Sequence, residues 1–564
     1  MVRSPAMASV GSAEQKFYLD FSSRADKFVA QMLKDYKPSD YHDVKVIHDP
    51  VWGTIKLHPW ELQLLDSPLL QRLRNINQLG LAVVSYPSAH HSRFEHTLGV
   101  TYLVTKMAES INDSYSYDLG NAFSVSKDDL NKLRLAAILH DVGHCFFSHL
   151  SEAMYGSTDE FKLLKNSFEI FSFAQPHEIL AYVIVNAPSF KTFFKENIGY
   201  LSSESGDMLF EDIGRMIVGA TIDTVYDINA IKSKKCYLTE MINGQFDADS
   251  LDYLRRDSHV TGLSLTYHID RFLYKIKLVD RARLIDGETI IEKHLTVHVS
   301  GVSTVEEIIF GKQMLTRYIY QHQKVLAADA LVYDIVSGLR NNNKLQHPCD
   351  FLYYCDSDIY KIYDESGDRD FAPPVSNMSI HKESSKTIAD VVKRIRTRNL
   401  PKKALVINMS VLFNSDGKEP SLSDGFEMVK EAFLSGGLRN DIRDEAWRIC
   451  DKVGLDKRKI DLFDIFYSVP KPSTAKNYTD VLVATHDGGF VRLSNVADLN
   501  DWADEFSQRA WNAYVFSSAE LLPVISLAAK NVLEKRGIKF KNEKIFSNLK
   551  HCFEIEKLIK KLEV

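Results

Sequence analysis

His140 and Asp141 stand side by side at the end of an apolar run, in the segment Leu133–Leu150, LRLAAILHDVGHCFFSHL. Imidazole is a borderline nitrogen ligand and carboxylate a hard oxygen ligand; adjacent residues serve one metal ion only where the backbone leaves regular helical geometry. Gly143, directly afterwards, supplies such a break. His144 follows His140 by four residues, about one helical turn, and His149 comes five residues later. A lone His-Asp dipeptide arises by chance, but three histidines and an aspartate within ten residues are dense for a chain with 19 His. The extended HDxGHxxxxH spacing at the end of a buried helix points to divalent-metal chemistry.

Two further segments supply the remaining donors. SRFEHTLGV (92–100) sets His96 in a short charged run directly before a helix. Taken singly, His96 reads as a neighbour of a helix cap and Arg93 as a solvated surface residue. FDADSLDYLRRD (246–257) is an acidic run, and such runs are usually solvated. Here Asp249, Asp252 and Tyr253 share helical spacing with Leu254, so one carboxylate face can turn inward. Together the segments offer two neutral nitrogens and two carboxylates, a set suited to Mn²⁺, Fe²⁺, Mg²⁺, Ni²⁺ or Zn²⁺ with water completing the shell.

The elements that must position these groups are mainly helical. Residues 1 to about 20 read as an unstructured arm, followed by a short helix from Ser23 to Tyr36. From Tyr41 to about Ala330 the pattern is strongly helical. Helices are expected in 59–80 with a break at Ser67-Pro68, over Phe94–Ile111, and over Lys127–His140 behind the capping residues Ser126 and Asp128. TIIEKHLTVHV (289–299) reads as a strand. The Asn-rich run 340–344 and the irregular segment 355–385 mark a boundary. Beyond it, strands at Ala404–Asn408 and Trp511–Phe516, a hairpin around HDGG (480–493) and a helix Leu521–Arg536 indicate a mixed lobe. The expected organisation is an arm and helix (1–40), a helical core (41–335), an irregular connector (336–385) and a smaller α+β lobe (386–564).

Composition bounds the function. The 564 residues are 45% hydrophobic and 26% charged, ordinary for a globular protein. The net charge of −6 argues against a nucleic-acid partner and against an anionic membrane surface. No apolar run approaches the ~20 residues of a membrane span, and the N-terminus lacks the apolar region of a signal peptide. Six scattered cysteines (Cys145, Cys236, Cys349, Cys355, Cys450, Cys552) form no CxxC pair, which fits a reducing cytoplasm.

These segments, in this order, resemble the HD-domain phosphohydrolase superfamily. Within it they are similar to the deoxynucleoside triphosphate triphosphohydrolases of the sterile-alpha-motif-and-HD type and their bacterial dGTPase-like relatives. The matching text includes DPVWGTIKLHP (49–59), DSPLLQRLRNINQLG (66–80), PHE (176–178) and RYIYQHQKV (317–325). The resemblance is dense from about Val44 to Ala330 and loose in the C-terminal lobe. It implies a mainly α fold, with an HD-domain core and a smaller α+β lobe. It implies metal ligation by His96, His140, Asp141 and Asp249. His144 and His149 would lie near the phosphates, with His149 as proton donor, supported by Glu152 and His177. Arg93 would contact the phosphate ester and Gln78 the sugar 3′-hydroxyl. Tyr320 with Leu79 would close over C2′ and select deoxyribose, and Tyr253 and Asp257 would complete the pocket. The implied products are a deoxynucleoside and inorganic triphosphate.

Two departures bear on the substrate. Glu152 stands where the relatives usually carry Asp, and Ser250 stands where they carry a lysine for the triphosphate. Two expectations therefore stay open: a mono- or diphosphate substrate, or a triphosphate whose charge Lys312 or Arg317 meets. Lys45, Val46, Asp66, Gln71 and Arg74 match the family's activator site for GTP or a dNTP, although Asp66 and Arg74 also serve simply to cap and decorate a helix. That match implies a homo-oligomer, dimer or tetramer. The competing readings are another HD hydrolase, acting on monophosphates, cyclic nucleotides or alarmones, and a nucleotide-sensing scaffold without turnover.

Overall fold

The computed structural model describes residues 12–118, 125–200, 206–222, 225–228, 231–265, 267–285, 287–341, 344–361, 388–413, 417–457, 460–472, 481–497 and 499–540. Residues 1–11, 342–343 and 362–385, Asp480 and Cys552, on which some sequence expectations fall, lie outside it. The fold is mainly α, with short sheets inserted between helices.

The N-terminal helix differs from expectation. It runs Ser12–Leu33, beginning well before Ser23. Tyr18 and Phe21 extend the stripe of Phe28 and Val29 back by two turns, and Tyr18 packs on Phe168 and Phe171 while Phe21 meets Phe161. Aromatic rings at helical spacing that find aromatic partners hold a helix that local propensity leaves open.

A hairpin of strands Lys45–Asp49 and Gly53–Leu57 follows. Its turn is built by Asp49, whose Oδ1 accepts from the backbone N–H of Val51 and Trp52, and by Gly53 at φ +73°. The expected break at Ser67-Pro68 separates helix Pro59–Leu65 from Pro68–Gln71. Two long helices then form the centre of the core. Arg93–Asp118 carries His96, and Lys127–Leu139 leads into His140. The latter starts on a capping box in which Ser126 Oγ accepts from Asp129 N at 3.1 Å. Leu133 and residues 135–139 are wholly buried, so this helix has no solvent face along that stretch. Helix Ala248–Thr261, carrying Asp249, ends at Gly262 in the left-handed region.

The strand expected near 289–299 is present as Glu288–His298. It pairs along its length with Ile276–Ile285, a strand the charged text IKLVDRARLI concealed. Its other edge takes two parallel partners, Ile231–Lys234 and Leu482–Ala484, and the second of these continues the HDGG hairpin to Phe490–Arg492. The C-terminal lobe holds an antiparallel sheet in the order 402–407, 513–517, 466–468 and its own apolar cluster, which includes Leu405, Ile442, Ile449 and Val515.

The irregular connector 336–385 needs correction. Helix Gln323–Asn341 runs through its start, a 3₁₀ segment spans Pro348–Tyr353, and a helix spans Asp356–Lys361. Leu345, Phe351, Leu352 and Ile359 join the main core, as do Ile388, Val391 and Val392 just beyond. The Asn-rich run marked a loop, while the apolar residues spaced around it fill the core. Among the described residues no helix is long and apolar enough to cross a membrane.

Candidate metal centre and active-site cavity

Three helices bring four donors to one point. His96, wholly buried, lies in the first turn of its helix. Its Nδ1 is 2.7 Å from Asp252 Oδ2, which turns Nε2 inward, 2.9 Å from Asp249 Oδ1 and 3.4 Å from His140 Nε2. His140 is the C-cap of its helix, and its Nδ1 is 2.7 Å from the Ala137 carbonyl. A carbonyl only accepts, so Nδ1 carries the proton and Nε2 keeps a free lone pair. Asp141 completes the group, with Oδ1 3.4 Å from His140 Nε2 and Oδ2 4.0 Å from His96 Nε2. Asp249 is the donor most open to the cavity, its side chain 39% exposed.

The electrostatics ask for positive charge at this centre. Burial opposes protonation of His96, yet hydrogen bonds to Asp249 and Asp252 push it up to about 10. Burial would raise the Asp141 carboxyl, but the Arg93 guanidinium, His140 and His96 outweigh it and bring it down to about 2. Asp249 is likewise held well below the usual carboxylate range, because the bond to His96 and the charges of His96, His140 and Arg93 outweigh its partial desolvation. A set that holds a proton this firmly holds a divalent cation in its place by the same attraction. Two imidazole nitrogens and two carboxylates fit a divalent ion of the first transition row or Mg²⁺.

Behind the donors stands a network that sequence reasoning left unassigned. Asp252 accepts from His96, from Trp52 Nε1, and from Arg256 Nε and Nη2 at 2.8 and 3.0 Å; Arg256 Nη1 donates to Asp49 Oδ2 at 2.9 Å. The hairpin turn thus braces the metal centre. Gly99 makes room for it, since a Cβ there would sit 1.8 Å from Asp252 Oδ1. The only sequence signal was the helical spacing of Asp249, Asp252 and Arg256.

The turn after Asp141 is fixed by contact. Gly143 has no positive φ. Its role is close approach, because a Cβ would meet the His177 carbonyl at 2.1 Å and Ala181 N at 2.5 Å. Buried Arg72 donates to the carbonyls of Val142 and, at 2.8 Å, His144. Strain lies further on, where Phe147 and Ser148 both adopt φ +52°.

The five residues expected to serve catalysis also converge. His144, His149, Glu152 and His177 present donor atoms within 4.8 Å of one another. Glu152 lies between two histidines, with Oε2 2.7 Å from His149 Nδ1 and Oε1 3.1 Å from His177 Nδ1. His144 stacks on His177 at 3.8 Å; its Nε2 lies 3.4 Å from Asp141 Oδ1, and among the described residues neither ring nitrogen has a hydrogen-bond partner. Burial disfavours charge on both rings. The Glu152 charge nevertheless raises His177 to about 9, whereas His144, with Arg93 and His177 nearby, falls well below its usual value. The Glu152 charge thus favours protonation of His177, while burial and the neighbouring cations favour the neutral form of His144. Arg93 links the groups: Nη1 reaches the Asp141 oxygens at 3.0 and 3.2 Å, Nε reaches Ser148 Oγ at 2.9 Å, and Nη2 lies 3.5 Å from His149 Nε2.

Arg93, His140, Asp141, His144, His149, His177 and Asp249 line a cavity of about 500 Å³ whose walls also carry Gln78, Leu79, Tyr253, Asp257 and Tyr320. Tyr320 closes a π-helical turn, Thr316–Tyr320, and donates to Asp257 Oδ2 at 2.7 Å. His91 holds the other Asp257 oxygen at 2.9 Å. Ser250 lines the same cavity, and Lys312 donates to its Oγ at 3.2 Å. The residues matched to an activator site lie elsewhere. Lys45 sits over the Tyr41 ring at 4.1 Å, Tyr41 donates to Asp66, and Arg74 donates to Gln71 at 2.7 Å, while Val46 is 59% exposed.

A family model described as HD domain matches residues 93–187, which contain every metal and catalytic candidate except Asp249. Curated proteins named deoxynucleoside triphosphate triphosphohydrolase SAMHD1 from Mus musculus and Homo sapiens are each 26% identical to this chain. The mouse match spans 318 residues, 55% of this chain and 46% of the relative; the human match spans 296 residues, 52% and 44%. An uncharacterised protein of Methanocaldococcus jannaschii is 28% identical over 293 residues, 51% of this chain and 48% of its own. The chain spans about half the length of the curated relatives it matches.

Proposed function

We propose that this chain, whose residues 93–187 match the HD domain, is a metal-dependent triphosphohydrolase of deoxynucleoside triphosphates, releasing a deoxynucleoside and inorganic triphosphate. The observation that carries this reading is the cluster of His96, His140 and Asp141, with Asp249 Oδ1 on His96 Nε2, beside a cavity lined by His140, Asp141 and Asp249 together with Arg93, His144, His149 and His177. These four donors would hold the metal. When bound, a divalent ion polarises a phosphoryl oxygen and lowers the pKa of attached water.

The remaining roles follow from the side chains. Arg93 and the cationic His177 stabilise charge developing on the phosphates. His149 protonates the leaving 5′-oxygen, and Glu152 on its Nδ1 keeps Nε2 directed at the substrate. Tyr320, held by Asp257, packs with Leu79 against C2′ and leaves no room for a ribose hydroxyl, while Gln78 takes the 3′-hydroxyl. Lys312 answers the loss of lysine at position 250. Arriving from helix Val302–Leu315, its ammonium donates to Ser250 Oγ and to the Gln245 carbonyl, both at 3.2 Å, and so sets a positive charge next to the wall residue Ser250. The similarity to proteins bearing the triphosphohydrolase name supports the triphosphate.

Activation by GTP or a dNTP at Lys45, Val46, Asp66, Gln71 and Arg74, and a dimeric or tetrameric assembly, belong to the same proposal. The exposure of that cluster supports them. A cytoplasmic address is in keeping with five unpaired described cysteines.

The test is inorganic triphosphate release from the four dNTPs with Mn²⁺, with and without GTP, using His140→Ala as control. Release that vanishes in the variant supports the reading, and dependence on GTP supports the activator site. Comparing dATP, dADP and dAMP decides the phosphate chain, since turnover of dAMP alone would overturn the triphosphate. A monomer by gel filtration with and without nucleotide would remove the regulatory part.

A further inference from the structure

Asp356 lies far from the metal centre in sequence and touches none of its donors, yet its two carboxylate oxygens are committed to the active-site backbone. Oδ1 accepts from Phe147 N at 2.6 Å and Oδ2 from Asn77 N at 3.0 Å, across separations of 209 and 279 residues. Phe147 is the first of the two residues at φ +52°, and Ser148 is the second, with ψ −123°. Non-glycine residues rarely adopt such conformations and persist in them only where surroundings impose them.

The surroundings here are specific. The Phe147 ring meets Tyr360, one turn along from Asp356 on the same helix, at 5.5 Å. On the opposite side Gly80 faces the Phe147 carbonyl, where a Cβ would come within 3.0 Å. Ser148 Oγ donates to the Asn77 carbonyl at 2.6 Å and accepts from Arg93 Nε. Asn77 is therefore held by Asp356 at its N–H and by Ser148 at its carbonyl. Gln78 follows Asn77, and His149 follows Ser148.

We propose that Asp356 is a positioning residue that holds the Phe147–Ser148 turn against Asn77 and so aims His149 at the substrate. Its two acceptors meet two backbone donors, one buried and one part-buried, that have no other partner among the described residues; an ionised carboxylate accepts at both oxygens and donates nothing, and these two bonds oppose the burial that raises Asp356 to about 7. An amide in its place turns one N–H···O contact into N–H against NH₂. The turn then relaxes out of its strained conformation, and His149 moves with it. Because Asp356 acts through His149, its effect vanishes once His149 is absent.

This inference rests on the reading of His149 as the acid, and the experiment separates the two. Steady-state kinetics are compared for Asp356→Asn, His149→Ala and the double variant, on whichever dNTP the wild type hydrolyses best with Mn²⁺. Asp356→Asn is expected to lower kcat about 100-fold with KM and bound Mn²⁺ unchanged. The double variant should be no slower than His149→Ala within about threefold. Multiplicative losses would overturn the proposal. A second readout needs no turnover: in protein labelled with ¹⁵N-Phe and ¹⁵N-Asn, the Phe147 and Asn77 amide protons should resonate downfield in the wild type and move upfield in Asp356→Asn. Unmoved resonances, or wild-type amides that exchange as fast as exposed ones, overturn it even if no dNTP is hydrolysed; moved resonances in a protein that hydrolyses no dNTP would leave the clamp standing and reject the substrate reading alone.

Discussion

Asp252 meets no substrate in this arrangement, yet the metal centre depends on it. It fixes the tautomer of His96 and shares Arg256 with Asp49. Outer carboxylates of this kind typically govern 10–100-fold in metal affinity. Asp252→Asn is expected to lower Mn²⁺ affinity by that order, measured by metal titration of the apoprotein. Gly99→Ala, which drives a methyl into Asp252, should do so at least as strongly; affinity unchanged in both would show that His96 needs no such support. His177 offers a second test at this scale. Its folded-state value of about 9 exceeds the ordinary 6.5 because of Glu152. The stabilisation from protonated His177 is thus fully present below about pH 6.5 and lost as pH rises through 9, on the order of 3 kcal/mol, while the share that needs ionised Glu152 is lost only in acid, below its ordinary 4.5. Thermal stability should decline across that window, and Glu152→Gln should flatten the decline. A wild-type profile that is already flat would contradict the assignment.

Among the elements, those with local signals were legible and those set by distant contact were not. The Ser126 cap, the break before Pro68 and the alternation of 289–299 were readable, as was the HDxGHxxxxH text that brings His140, Asp141, His144 and His149 together. The strand 276–285 was hidden because its outer half is exposed and charged and only pairing defines it. Asp356 was hidden because its partners are backbone amides more than two hundred residues away, which leave no trace in side-chain pattern. Gly143 was legible only in part: the helix does break off after Leu139 as expected, but Gly143 has no positive φ and is required because its turn packs directly on the backbone of helix Pro176–Val185. Gly143→Ala should therefore force helix Pro176–Val185 outward, costing roughly 1–3 kcal/mol as an overpacked core does. It should also abolish activity by moving His177. A melting temperature equal to that of wild type would show that the contact yields freely.

At the scale of the molecule, the strand Glu288–His298 joins parts of the chain that composition had separated. It pairs with Ile231–Lys234 and Ile276–Ile285 from the core and with Leu482–Ala484 from the C-terminal region, while Ile388–Arg396 packs into the main core as well. Shared secondary structure of this kind couples stability across the junction. Calorimetry should give one cooperative transition rather than two, and two resolved transitions would show that the lobes unfold independently. The same long-range wiring has a consequence for biosynthesis. His96 leaves the ribosome 156 residues ahead of Asp252. At ~5–20 residues per second that is a wait of roughly 8–30 s. Until the later segment emerges, the histidine has neither its orienting carboxylate nor Asp249. The nascent chain passes through this interval unable to assemble a complete ion-binding pocket, so metallation has to wait until the segment around Asp249 and Asp252 has emerged.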